Sequence, residues 1–139
     1  MSGPVGESSL EVWNRQLSIN LTTALLATRA FLPSLRRAHG SIVLFASQAA
    51  LPGSTGKNMS AYTIAKTGVA ALMRAIAAEE RVNGVRANAV APTSIRTAAN
   101  LASMGPDVRY IEREEVARVV TFLCSPAASA ITGELVPLS

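Results

Sequence analysis

The chain has 139 residues, a formal charge of +4, 49% hydrophobic, 4% aromatic and 16% charged residues, which fits one domain with an apolar core. The arginines are scattered, the densest run (Arg36-Arg37) falls where a helical pattern ends and cations favour the helix dipole, and no aromatics alternate with them, which argues against nucleic-acid binding. A single cysteine, Cys124, excludes an intrachain disulfide and a cysteine-based metal cluster, and no metal site is expected.

Residues 1–7 are expected as a loop. They have neither a basic n-region nor an apolar h-region, so no secretory signal is read and a cytoplasmic location is the default. Ser8 followed by Glu11 has the capping-box pattern. A long helix is predicted from about Leu10 to Arg37, closed by Gly40, with Pro33 as a point of kinking. Val12, Leu17, Ile19, Leu21, Leu25, Leu26 and Phe31 cover more than one narrow face of it, so both sides are expected to be buried. His39, the only histidine, stands at the helix end in a structural or solvated role.

Ser41–Ala46 is a continuous apolar run, predicted as a strand covered on both faces. Ser47–Asn58 carries Pro52, Gly53, Ser54 and Gly56 and reads as a loop. A second long helix is predicted over Ser60–Val82, ended by Gly84. Lys66 and Arg74 interrupt its apolar pattern, so no membrane span is expected. Val85–Ala91 is a second buried strand with Pro92 as its stop. Thr93–Tyr110 is irregular, with a short helix near Thr97–Met104.

Glu112–Leu123 is a third helix whose acidic first turn suits the dipole, and Cys124 beyond it is expected as a small buried hydrophobe. Ile131–Val136 is predicted as the last strand, ended by Pro137. Helices alternating with strands imply an α/β fold with a parallel sheet, in one domain over 1–139. Three strands make a small sheet, and a first helix with no strand before it is expected to have lost one upstream.

The strongest chemical signal is Tyr62-Thr63-Ile64-Ala65-Lys66, a phenol and an ammonium at i and i+4 on one helix face. A phenol is ordinarily a poor base near neutral pH, and an ammonium nearby favours the phenolate, which suits proton exchange with an alcohol or carbonyl oxygen. Equally, such a pair often sits on a solvated face. Ser47 stands where the first strand ends, the region where open α/β sheets gather their functional groups. It either donates to a developing oxyanion or merely lines the loop. Asn20, a poor helix former inside the first helix, is either an ordinary polar residue or the holder of a water in a proton path.

Trp13-x6-Asn20-Leu21, Gly40-Ser41-Ile42-Val43 leading to Ala46-Ser47, Tyr62-x3-Lys66, Val85-Arg86-Ala87-Asn88-Ala89-Val90-Ala91-Pro92, and Phe122-Leu123 with Ile131-Thr132-Gly133-Glu134 occur in one order along the chain. In that order they resemble the classical short-chain dehydrogenase/reductase family over nearly the whole length. The resemblance implies a partial Rossmann-like, doubly wound parallel sheet: the last three strands with their helices, without the N-terminal nucleotide-binding half. It implies an oxidoreductase moving hydride between NAD or NADP, not distinguished, and a small alcohol/carbonyl substrate.

Tyr62 would be the acid/base, Lys66 its partner and a ligand of the nicotinamide ribose, Ser47 the residue orienting the substrate oxygen, and Asn20 the holder of the relay water. Pro92, Thr93, Ile95 and Thr97 match the stretch beside the nicotinamide, with Thr93 where the family usually has Gly. That β-branched residue is expected to narrow the approach or to alter the turn. The specificity loop would be about Ser94–Tyr110, with Leu101, Met104 and Tyr110 giving a partly apolar pocket. The helices around 10–37 and 60–82 would form a homo-oligomer contact.

The family's Thr-Gly-rich pyrophosphate turn and its Asn-Asn-Ala-Gly stretch are not found in the 139 residues, and Gly53-Ser54-Thr55-Gly56-Lys57 does not have P-loop spacing. Two further readings stand beside the enzyme: an inactive remnant serving as an interaction or dimerisation module, and a fragment whose N-terminal half lies upstream.

Overall fold

Alternation within two short strands builds the core. In β1 (Ser41–Phe45) and β2 (Arg86–Pro92), Ile42, Leu44, Ala87, Ala89 and Ala91 face one side, and Val43 and Val90 face the other. Helices pack on both sides, which is why apolar residues occupy both faces of each strand. The computed structural model describes residues 3–139; Met1 and Ser2, which belong to the expected N-terminal loop, lie outside the described residues. A 3-10 turn at Val5–Glu7 leads into α1 (Leu10–Leu17), a π turn (Ser18–Thr22), α2 (Thr23–Ala38), β1, α3 (Ser60–Glu79), β2, β3 (Ser94–Ile95), α4 (Ala98–Met104), β4 (Tyr110–Ile111), α5 (Arg113–Cys124) and β5 (Leu135–Leu138). The main sheet is parallel in the order β1-β2-β5, as the α/β reading expects.

α3 covers one face. Val69, Met73, Ile76 and Ala77 recur at helical spacing and pack on Leu44, Ala46 and the alanines of β2. The alanines let the helix lie close, and Gly68 does the same toward the π turn, since a Cβ there would stand 2.9 Å from Leu21 Cδ2. α5 covers the other face with Val116 and Leu123, against Val90, Ile111 and Leu138. The second strand is also clasped by the loop after α5. Asn88, wholly buried, donates to Ile131 O (3.0 Å) and accepts from Glu134 N (3.0 Å), and Gly133 N donates to Ala87 O (2.7 Å).

Several local expectations change. The N-cap of α1 is Ser9, whose Oγ accepts from Val12 N (3.2 Å), while Ser8 turns back to Pro4 O. The first helix is not uniformly α, because the π turn admits an extra residue where Asn20 Nδ2 donates back to Gln16 O (3.1 Å). Its two sides are not both buried: Ile19, Leu25 and Leu26 lie bare, and Phe31 is 63% exposed. His39, not Gly40, takes the left-handed C-cap of α2 (φ 47°), held there by the 2.9 Å contact of its Nδ1 with Asn83 O. Gly40 is needed for closeness instead, as a Cβ would meet Leu35 Cδ2 at 3.0 Å.

Cys124 is exposed rather than buried, because the buried stripe of α5 runs through Val116 and Leu123 and the next residue turns away from it. Ile131–Glu134 forms the clasp and not a strand. Pro137 lies inside β5 rather than ending it.

The reason for that tolerance lies in the hydrogen-bond alternation. Ala89 N donates to Glu134 O and Thr93 N to Leu138 O, so even-numbered residues of β5 bond β2 and Pro137 turns its missing N–H outward. At the other margin Arg86 N donates to Gly40 O and Ala46 N to Val90 O. The odd-numbered Ser41, Val43 and Phe45 therefore direct their backbone groups to an edge where no further strand pairs among the described residues. An apolar groove of about 380 Å3 lined by Phe31, Leu35, Ala38 and Ile42 runs beside it, and Phe45 is 46% exposed. The first strand is thus only partly covered, contrary to expectation.

Candidate active site

β1 and β2 end on the same side of the sheet, and the segments leaving their carboxyl ends open on one cleft of about 710 Å3. From the end of β1 come Phe45, Ala46, Ser47, Gln48 and Ala49; from the end of β2, Pro92, Thr93, Ser94 and Ile95. The start of α3 adds Met59, Tyr62 and Lys66, and α4 adds Asn100 and Met104.

Ser47 has extended backbone and caps the 3-10 turn Gln48–Ala50: its Oγ accepts from Ala49 N (3.2 Å). That bond uses the oxygen and leaves the hydroxyl hydrogen free to donate into the cleft. Tyr62 and Lys66 lie on one face of α3 because they are one helical turn apart, with the ammonium 5.9 Å from the ring centroid. Lys66 Nζ donates to Phe45 O (3.0 Å), which uses one of its three N–H groups, and burial of the side chain pushes its pKa below the usual value. Among the described residues no protein group hydrogen-bonds the Tyr62 hydroxyl.

Ser47, Tyr62, Lys66, Pro92, Thr93 and Ile95 are thus brought together. Asn20 is not among the cleft's lining residues; it sits in the π turn with its amide donating to Gln16 O and to Gln16 Oε1 (2.9 Å). Thr97 is not either, and serves as the N-cap of α4, accepting from Asn100 N (3.1 Å). Thr93 needs no glycine-like conformation: its φ is not positive, and its N–H is taken by Leu138 O (2.8 Å).

Gln48, Ser54, Met59, Asn100 and Met104 complete the lining. Of these, only Met104 stood out in the sequence; the others are ordinary loop or helix residues by type. Leu101 and Tyr110 stay outside.

Apolar lining from Pro92 and Ile95 together with a phenol and an ammonium fits the chemistry of a nicotinamide and its ribose hydroxyls. Among the described residues no glycine lies in the first turn of any α-helix, where a pyrophosphate cradle would place one. Nor is there a group of three or more His, Cys, Asp or Glu placed to hold a metal among those residues, and no helix is long and apolar enough to cross a membrane.

The family model described as enoyl-(acyl carrier protein) reductase matches residues 1–138. The chain is 35% identical over 147 residues to dehydrogenase/reductase SDR family member 4 of Homo sapiens, covering 96% of this chain and 52% of that protein. A crystal structure of an oxidoreductase of the short chain dehydrogenase/reductase family from Burkholderia thailandensis superposes with a TM-score of 0.87 at 28% identity, over 99% of this chain and 58% of that one. A Beutenbergia cavernae chain with bound NADP is 31% identical with a TM-score of 0.87, over 99% and 59%.

The chain spans about half the length of the curated relatives it matches. Its three-stranded sheet is accordingly the part of a Rossmann-like domain that those structures share with it. On sequence, on fold and on what its strand ends carry, the chain belongs to the short-chain dehydrogenase/reductase family.

Proposed function

We propose that this chain carries the catalytic half of an NAD(P)-dependent oxidoreductase acting on a small alcohol/carbonyl pair. The observation that carries the reading is the convergence of a free-donating Ser47 hydroxyl, the Tyr62 phenol and the Lys66 ammonium on one cleft beside Pro92. A bound nicotinamide would accept or give the hydride. The chain's own groups do the rest. Ser47 donates to the substrate oxygen and orients it. Tyr62 takes the hydroxyl proton in oxidation and returns it in reduction. Lys66 has two N–H groups left after Phe45, for the ribose and for electrostatic support of the phenol oxygen. Asn20 contributes through the π turn, by holding a water on the path from Lys66 to solvent.

The test is a titration of the purified chain with NADH and with NADPH, followed by nicotinamide fluorescence, then by alcohol oxidation with the cofactor that binds. Saturable binding with turnover supports the reading. A folded chain that binds neither cofactor overturns the reading for this chain by itself.

The bare flank of α1 and α2, with Ile19, Leu25, Leu26 and Phe31 exposed, favours an accompanying role in self-association through helices 10–37 and 60–82. Sedimentation of wild type against Leu26→Glu tests it: an oligomer that the charge dissociates supports the contact, and an unchanged mass removes it.

A further inference from the structure

Between Pro92 and α5 the chain leaves the sheet, forms α4 and returns, and this excursion supplies one wall of the cleft through Ser94, Ile95, Asn100 and Met104. Its base is closed by backbone pairing, Ser94 with Tyr110 and Ile95 with Ile111, and by Arg96 N to Ile111 O (2.9 Å). Its far end has no such support. α4 has only seven residues and none of them is buried, so neither helix propensity nor packing fixes it.

Two ties are local: the Thr97 cap, and Asn100 Nδ2 donating to Ile95 O (2.7 Å). A weak third joins Ser94 Oγ to Met104 Sδ (3.8 Å), and a fourth crosses from β4. The Tyr110 hydroxyl donates to Gly105 O (2.7 Å), the residue that ends α4, with Asn100 O 3.3 Å away as a secondary acceptor. The phenol ring is itself held, with the Arg96 guanidinium 5.0 Å from its centroid and Arg96 Nε 2.6 Å from Glu112 Oε1. That ion pair is half-exposed on both sides and contributes little.

We propose that Tyr110 is a positioning residue for substrate binding: its hydroxyl pins the end of α4, and thereby holds Asn100 and Met104 as the wall of the cleft. The proposal rests on the oxidoreductase reading for its kinetic consequence only. Ser47, Tyr62 and Lys66 are placed by β1 and α3, so loosening α4 changes how well the alcohol is held and not the proton transfer.

Tyr110→Phe keeps the ring and removes the strut. Expected are about fivefold faster amide exchange over residues 101–105, with α3 unchanged, and a KM for the alcohol about fivefold higher at unchanged kcat. Arg96→Gln, which leaves the hydroxyl in place, is expected to alter neither by more than about twofold. Unchanged exchange in α4, or a fall of kcat matching the fall of kcat/KM, overturns the proposal. An Arg96→Gln effect equal to that of Tyr110→Phe does so too, because the ring's packing would then be the cause. If the wild-type chain shows no turnover, the oxidoreductase reading fails, and the pinning of α4 stands or falls on the exchange measurement.

Discussion

Lys66 Nζ, on the second turn of α3, donates 3.0 Å to the carbonyl of Phe45, the last residue of β1. The bond crosses from helix to strand and supplies a donor to a backbone oxygen that β2 does not reach. It also fixes the ammonium at the mouth of the cleft. Lys66→Met keeps the packing of the stem and removes both roles. We expect nicotinamide affinity to fall at least about tenfold and stability by about 1 kcal/mol. The fluorescence titration and a urea melt read the two effects separately.

Tyr62→Phe removes a hydroxyl that no protein group bonds among the described residues, so the fold and the cofactor titration are expected to be unchanged. Turnover is expected to fall by about 10^2- to 10^4-fold, the usual weight of a general acid–base group. Retained turnover takes Tyr62 out of the proton transfer.

The Glu80 carboxyl, 4% exposed, is held at about 2 against an ordinary value of 4.5, first by the hydrogen bonds of Arg36 (2.6 and 2.8 Å), with Asn83 adding to them and burial opposing. A carboxyl lowered on folding stabilises above its unfolded pKa and loses that contribution as pH falls through the folded one. The melting temperature of wild type is therefore expected to drop between about pH 4.5 and pH 2 relative to Glu80→Gln, which has nothing to titrate there. Parallel melting curves for the two proteins across that window would deny the linkage.

Met73 is 0% exposed at the centre of the α3–sheet contact, whereas Val82 is 88% exposed. Met73→Ala is expected to cost about 2–5 kcal/mol and Val82→Ala less than about 0.5 kcal/mol. Urea midpoints with unchanged slopes check both.

The features legible in the sequence are those that depend on near neighbours. The apolar runs of β1 and β2 and the long pattern of α3 declare themselves, and the pairing of Tyr62 with Lys66 comes from helical spacing alone. The exceptions depend on residues far along the chain. His39 adopts a left-handed cap because of Asn83, which no local pattern announces. Pro137 fits a strand because its outward side is unpaired, a matter of register with β2. Cys124 differs from Leu123 by one step around α5. In the cleft, Gln48 and Asn100 became functional candidates only through tertiary placement. Asn20 and Thr97, named in the sequence, lie outside the cleft's lining, each with a bond to local backbone.

The two margins of the sheet have different prospects. Beside β5, the proline at 137 withholds an N–H where a neighbouring strand would need one. Beside β1, the outward Ser41, Val43 and Phe45 are uncharged and each carries an N–H, with the Phe45 carbonyl already taken by Lys66. The β1 margin is therefore better placed than the β5 margin to take a further strand. Any strand that joins it lies along Val43, and two copies meeting there would each turn a proline-bearing margin outward, ending the array at a pair instead of propagating it into a fibre.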